Sequence, residues 1–157
     1  MQKRRSSKPR RGAVAVEFAF IAPVLLSIVF GLIELTRVYD TQYLLQTAAR
    51  EGARFAAMDR EGLLGDGQTT NSKMTEDVKN FLATAGVPKD NIVVNVLDHA
   101  DPTQTFDFDD PANDLKLFDV EIVVPYSDVS YTPVSSGSDY DLTGRITFRN
   151  GRATLSQ

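Results

Sequence analysis

The chain has 157 residues, 21 acidic against 17 basic, and no cysteine. That length gives room for one small folded domain plus a long helix. The missing cysteines exclude a disulfide framework and any thiolate metal site. The net charge of −4 hides an asymmetry: Lys3, Arg4, Arg5, Lys8, Arg10 and Arg11 precede Gly12 with no acid among them, which leaves 11 basic residues against 21 acidic ones beyond it.

Residues 1–12 read as a basic leader. Such a cluster can be a nucleic-acid arm, a solvated tail or the cytoplasmic anchor of a membrane segment. The apolar run directly behind it selects the third reading, and no nucleic-acid partner is expected. From Ala13 to Ile33 there are 21 residues, of which only Glu17 is charged. As a helix the run covers roughly 32 Å, enough to cross the hydrocarbon core of a bilayer. A buried core helix of a soluble protein would not be apolar on all faces with a basic flank on one side only. A cleavable secretory signal would end in a small-x-small tripeptide, and Glu34-Leu35-Thr36-Arg37-Val38-Tyr39 is not one. The charge bias holds the leader in the cytoplasm and exports the chain after about Arg37. Pro23 removes one backbone hydrogen bond and is expected to kink or loosen the helix.

Glu17 stands five positions after Gly12, at the mouth of this run. A carboxylate in lipid is costly and asks for a function. It can stay hydrated among the headgroups, in which case it does nothing further. The order of basic residues, Gly12, a small residue, Glu17 and the aromatic Phe18 instead looks like a type IV prepilin-like signal, cut between Gly12 and Ala13. The cut gives Ala13 a new positive amine one helical turn from Glu17. An ion pair between them, or with a neighbouring subunit, offsets the burial cost of both groups.

The helical pattern continues beyond the membrane run, without proline and without glycine until Gly52. It predicts one helix from about Ala13 to Asp59–Glu61, close to 70 Å long, with Gly62 as the left-handed residue that stops it. Residues 13–62 are therefore one long helix, with a transmembrane part at about 13–33. Ala48, Gly52 and Ala56 share one face at i, i+4, i+8, beside Ala49, Ala53 and Ala57. Small residues at this spacing admit another helix or a sheet at close range, although alanine is also the best helix former. Arg50 and Arg54 project together from one side. Glu51 does not reach round to them easily, so an acidic partner surface is expected to meet them.

Residues 63–157 read as an exported α+β domain. Leu63 to Asn71 is a linker. Ser72 caps a helix to about Ala85, with Gly86 and Pro88 as its stop and Met74, Val78, Phe81, Leu82 and Ala85 on one face. Three strands follow, at Ile92–Leu97, Leu117–Val124 and Leu142–Arg149. In the second, Phe118, Val120, Ile122 and Val124 point inward and Asp119 and Glu121 outward. This alternation predicts an antiparallel sheet wet on one face, with the helices on the other. Two long loops, about 98–116 and 126–141, connect the strands. Asp107, Asp109, Asp110 and Asp114 suggest Ca²⁺, but the spacing matches no EF-hand loop, so a solvated acidic loop is the reading adopted and no metal is expected. His99 is the sole histidine and has no second ligand to complete a site. No histidine-paired nucleophile, HExxH or phosphate-binding glycine loop occurs, so neither an enzyme nor a cofactor is expected.

Arg11-Gly12-Ala13-Val14-Ala15-Val16-Glu17-Phe18-Ala19, then Pro23, Phe30-Gly31-Leu32-Ile33-Glu34 and Ala48-Ala49-Arg50-Glu51-Gly52-Ala53-Arg54 together resemble the TadE-like pseudopilins of the tight-adherence (Flp/Tad) type IVc pilus system. The likeness covers about residues 10–57. It implies a minor pilin-like protein of the bacterial inner membrane, single-pass, processed by a prepilin peptidase at Gly12–Ala13. Glu17 and Phe18 would serve assembly with other pilin-like subunits and the pilus assembly platform. Two competitors remain at this point. One is an uncleaved signal-anchored binding or sensor module, and the other a minor pseudopilin of a type II secretion system.

Overall fold

A computed structural model describes residues 11–58, 64–130 and 140–151. In chain order the elements are α1 (Arg11–Ala57), α2 (Thr70–Thr84), β1 (Val93–Asp98), β2 (Leu117–Pro125) and β3 (Asp141–Arg149), with short 3-10 turns at Lys89–Asn91, Pro111–Asn113 and Tyr126–Asp128. The α+β class expected from the periodicities is what forms. The chain divides into two compact units, one ending at Thr36 and the other beginning at Arg37.

The first unit is the leading part of α1. Its large apolar side chains all stand exposed, from Val14 at 63% to Phe20 at 77% and Leu32 at 58%. Pro23 sits inside the helix, and Ser27 Oγ donates to the Pro23 carbonyl at 2.8 Å. Thr36 Oγ1 likewise donates to the Leu32 carbonyl at 2.9 Å. Hydroxyls on an apolar helix that turn back onto carbonyls four residues earlier leave no donor facing lipid.

The second unit is built on an antiparallel meander with strand order β1-β2-β3. Phe118, Val120, Ile122 and Val124 alternate along β2 and are fully buried on its inner face. Val96 lies opposite Val120 on one side, and Leu142 opposite Val124 on the other. The later half of α1 packs on this face through Leu45, Ala48, Ala49, Ala53 and Ala56. Contact is backbone to backbone. A Cβ on Gly144 of β3 would lie 2.6 Å from the Leu45 carbonyl carbon, and one on Gly151 would lie 2.6 Å from the Ala57 oxygen. Hence α1 runs directly over β3. Beside it, α2 closes the core with Met74, Val78 and Leu82.

Several boundaries differ from the sequence expectations. Residues beyond Met58 as far as 63, including Gly62 and the expected helix end at Asp59–Glu61, lie outside the described residues. Thr69, not Ser72, caps α2; its hydroxyl accepts the Ser72 N–H at 3.2 Å. Asp109 adds a second cap by accepting the Thr70 N–H at 2.9 Å, so the helix starts a half-turn earlier. Phe81 and Ala85 are exposed, because the buried stripe of α2 follows a strict four-residue step from Thr70 through Met74 and Val78 to Leu82. Gly86 ends the helix at φ +90°, with Val87 N–H returning to the Leu82 carbonyl at 3.1 Å. The 98–116 loop is not merely solvated. Thr105 bridges to Leu97, and Phe106 and Phe108 are buried beside Phe118 with ring centroids 4.7–5.4 Å apart.

Candidate functional site

Gly12, Ala13, Glu17 and Phe18 all lie in the first two turns of α1. A Cβ on Gly12 would meet nothing within 4 Å, so neither the fold nor a turn conformation demands a glycine there. The Gly12–Ala13 peptide bond lies at the start of the described part of α1. Glu17 is exposed, and so is Phe18 at 64%. Residues four apart on a helix stand about 5–6 Å from each other. An amine on Ala13 would therefore reach the Glu17 carboxylate.

The second group of expected site residues lies further along α1. Ala48, Gly52 and Ala56 are buried, and at Gly52 the element that approaches is the chain's own α2. A Cβ on Gly52 would lie 2.7 Å from Val78 Cγ2 and 3.4 Å from Met74 Cγ. The small-residue face is thus used inside the molecule. Arg50 and Arg54 are exposed, as their spacing implied. Glu51, however, does reach Arg54: its Oε2 accepts from Arg54 Nε at 3.0 Å and lies 2.9 Å from the terminal nitrogen. A three-residue step closes this pair on one helix face. The expectation that Glu51 does not reach the arginines is corrected for Arg54.

Sequence reasoning missed a polar cluster on the outer face of the sheet. Asp119 is only 1% exposed although its strand position points away from the core. Arg145 donates to its Oδ2 at 2.6 Å, Thr147 Oγ1 to its Oδ1 at 2.5 Å, and His99 Nδ1 lies 3.2 Å from both oxygens. Burial pushes the Asp119 carboxyl up, but hydrogen bonds from Arg145, Thr147 and His99 outweigh it and hold the group below the usual carboxylate range. The shared parity of Asp119, Arg145 and Thr147 on paired strands was the available signal. The acidic loop has local work as well. Asp109 caps α2, Asp110 accepts the Ala112 N–H at 2.8 Å, and Asp107 accepts the Asp109 N–H at 2.9 Å. No group of carboxylates and histidine suited to a metal ion occurs among the described residues.

An 18-residue window of α1 has a mean hydropathy of 2.4 with none of it buried, so the helix is long and apolar enough to cross a membrane. The family model for TadE-like proteins matches residues 12–54. This stretch is a TadE-like segment. It begins at Gly12 and ends at Arg54, so it takes in the cleavage candidates, Glu17, Phe18, Ala48, Gly52 and both arginines. The TadE-like segment leaves out Ala56, α2 and the whole sheet. No curated protein and no solved structure matches the chain. The match covers residues 12–54 of the chain, the stretch that holds the apolar part of α1 long enough to cross a membrane.

Proposed function

We propose that the protein is a minor pilin-like subunit, cut by a prepilin peptidase after Gly12, that acts in assembly of a tight-adherence pilus from the inner membrane. The observation that carries this reading is the coincidence of the TadE-like segment with an exposed apolar helix whose one charge between Ala13 and Ile33 is Glu17. The basic leader stays cytoplasmic, and the unit from Arg37 onward is exported. Gly12 and Ala13 present the scissile bond. Glu17 then docks against an N-terminal amine, its own or that of a neighbouring pilin-like subunit, where an ion pair replaces water that lipid cannot supply. Phe18 follows it into the apolar layer.

Intact mass and N-terminal sequence of membrane-extracted protein, with and without the peptidase, test the cut. A terminus at Ala13 that depends on the peptidase is expected. A terminus at Met1 or Gln2 in both samples would overturn it and favour an uncleaved, signal-anchored binding module. Glu17→Ala tests docking separately: the variant is expected to be cut normally yet leave cells without pili, and normal piliation would remove the docking role.

A further inference from the structure

Past the apolar run, α1 keeps one face bare. Val38, Thr41 and Leu45 turn toward the core of the second unit. Tyr39 and Tyr43, four residues apart and so on one side of the helix, stand 63% and 75% exposed. Leu32 and Leu35 precede them at three- and four-residue steps and are exposed too. The polar groups of this stretch are engaged elsewhere. Arg37 Nε donates to the Val129 carbonyl at 3.1 Å, Glu34 is half-buried, and the Thr36 hydroxyl is bonded back to the Leu32 carbonyl at 2.9 Å. Among residues 34–46 only Asp40 is both charged and exposed.

Position along the helix says what covers this face. Phe18 to Leu35 rises about 27 Å, close to the hydrocarbon thickness of about 30 Å, and leaves Glu17 at the opposite boundary. Tyr39 then lies about 6 Å and Tyr43 about 12 Å beyond Leu35 along the axis. Long helical side chains lean toward the N-terminus, which brings both rings back toward the apolar layer. The headgroup layer is roughly 5–8 Å deep, so the rings fall within it or at its rim. Tyrosine suits that layer, because its ring is apolar and its hydroxyl can stay wet. A partner helix is the poorer occupant. No glycine or alanine occurs between Leu35 and Gln46 to let a second backbone approach, as Gly52 does for α2. Charge selects the kind of lipid. Asp40 stands exposed near the tyrosines, and past the run no exposed cation on α1 lies nearer than Arg50. The face offers nothing to an anionic headgroup and fits a zwitterionic one.

We propose that Tyr39 and Tyr43 are a lipid-contact surface: their face of α1 lies against the zwitterionic headgroup layer on the exported side and fixes how deep the helix sits. This rests on the reading of α1 as a membrane span. The two aromatic rings cover the apolar boundary, and their hydroxyls reach headgroup oxygens and water.

The chain holds no tryptophan, so a single substitution supplies one reporter of depth. The full chain is placed in phosphatidylcholine nanodiscs whose acyl chains are brominated either near the headgroup or near the chain end. Tyr39→Trp and Tyr43→Trp are expected to emit blue-shifted light and to lose most of it to bromine near the headgroup. Leu25→Trp should instead lose its emission to bromine near the chain end. Arg50→Trp, on the same face and about 10 Å beyond Tyr43, should respond to neither. Added phosphatidylglycerol should leave the pattern unchanged. In the Leu25→Trp background, Tyr39→Ser with Tyr43→Ser is expected to shift the quenching away from the chain end. Quenching at Leu25 without quenching at the tyrosine sites overturns the proposal and leaves the span standing, whereas no quenching at Leu25 overturns the span and the contact surface together. Equal quenching of Arg50→Trp would show the indole drawing itself into lipid. A blue shift in detergent that grows with protein concentration would show a second copy on this face. Either result, or an unshifted profile in the serine variant, overturns the proposal.

Discussion

One helix crosses two environments. Between Val14 and Ile33, α1 shows large side chains on every face, and all of them stand exposed. Between Thr41 and Ala57 the same helix is small on two adjacent stripes, and those stripes are buried against β3 and α2. The contrast teaches how cover is written in composition. A solvent of lipid tails rewards bulk all round and asks for no shape. A protein neighbour asks for absence of bulk at the places where backbones meet, which Gly52, Gly144 and Gly151 supply. The residue that would be an error in one half is the requirement of the other.

The same substitution placed in each half should break this comparison most sharply. Leu25→Arg puts a charge in the uncovered segment, where insertion at mid-membrane costs about 2.5–3.5 kcal/mol. Membrane fractionation should show lost or lowered insertion, with the folded unit after Arg37 keeping its thermal transition. Ala49→Arg puts the charge in the core, where Ala49 is 0% exposed. There the cost exceeds the whole stability of a small domain. That variant should insert normally but lose its cooperative unfolding transition. Identical outcomes for the two would mean that the halves are not physically distinct.

The sheet carries a second, smaller difference, between its inner apolar face and the buried carboxylate on its outer one. Asp119 sits below the usual carboxylate range in the folded state, so it contributes stability that is fully present above its unfolded value and is lost as pH falls through the folded one. The loss is thus confined to below about pH 4. Asp119→Asn should flatten the acid limb of stability measured by chemical denaturation. At neutral pH it should cost about 1–2 kcal/mol, toward the low side because Arg145 is half-exposed and partly screened. An unchanged acid limb would show that the cluster does not hold β2 to β3.

The broad plan was legible in the sequence because it rests on periodicity. The alternation of Phe118, Val120, Ile122 and Val124 needs no partner to be read, and neither does the long apolar run. What escaped depends on contacts distant in the chain. Asp119 looked solvated because its cover comes from Arg145, Thr147 and His99, brought together only by register. Phe106 and Phe108 looked like loop residues because a bridge of Thr105 to Leu97 turns them inward. Thr69 lost to Ser72 as the expected cap because the deciding carboxylate, Asp109, lies far along the chain. For the candidate site, Gly12, Ala13, Glu17 and Phe18 were read from order alone. Glu51 was misjudged although its three-residue step to Arg54, plain in the sequence, already sets the two on one helix face.

Gly52→Ala probes the smallest of these effects, and its sign is open to argument from the geometry. Alanine in place of glycine at a helical position gains up to about 1 kcal/mol of helix propensity. Against that, the new methyl would lie 2.7 Å from Val78 Cγ2, far inside van der Waals contact, and 3.4 Å from Met74 Cγ. Met74 is flexible and yields at little cost. Val78 is β-branched, confined to one rotamer in a helix and 4% exposed, so it gives way only if α2 shifts as a body. Overpacking of this kind costs typically 1–3 kcal/mol, so the balance falls toward a net loss of about 0–2 kcal/mol. The double variant Gly52→Ala with Val78→Ala should recover part of that loss, because the clash is with that one methyl. Thermal unfolding of the four proteins in the cycle decides the matter. Additive effects would place the strain elsewhere and would mean that α2 does not need the small face of α1 to seat itself.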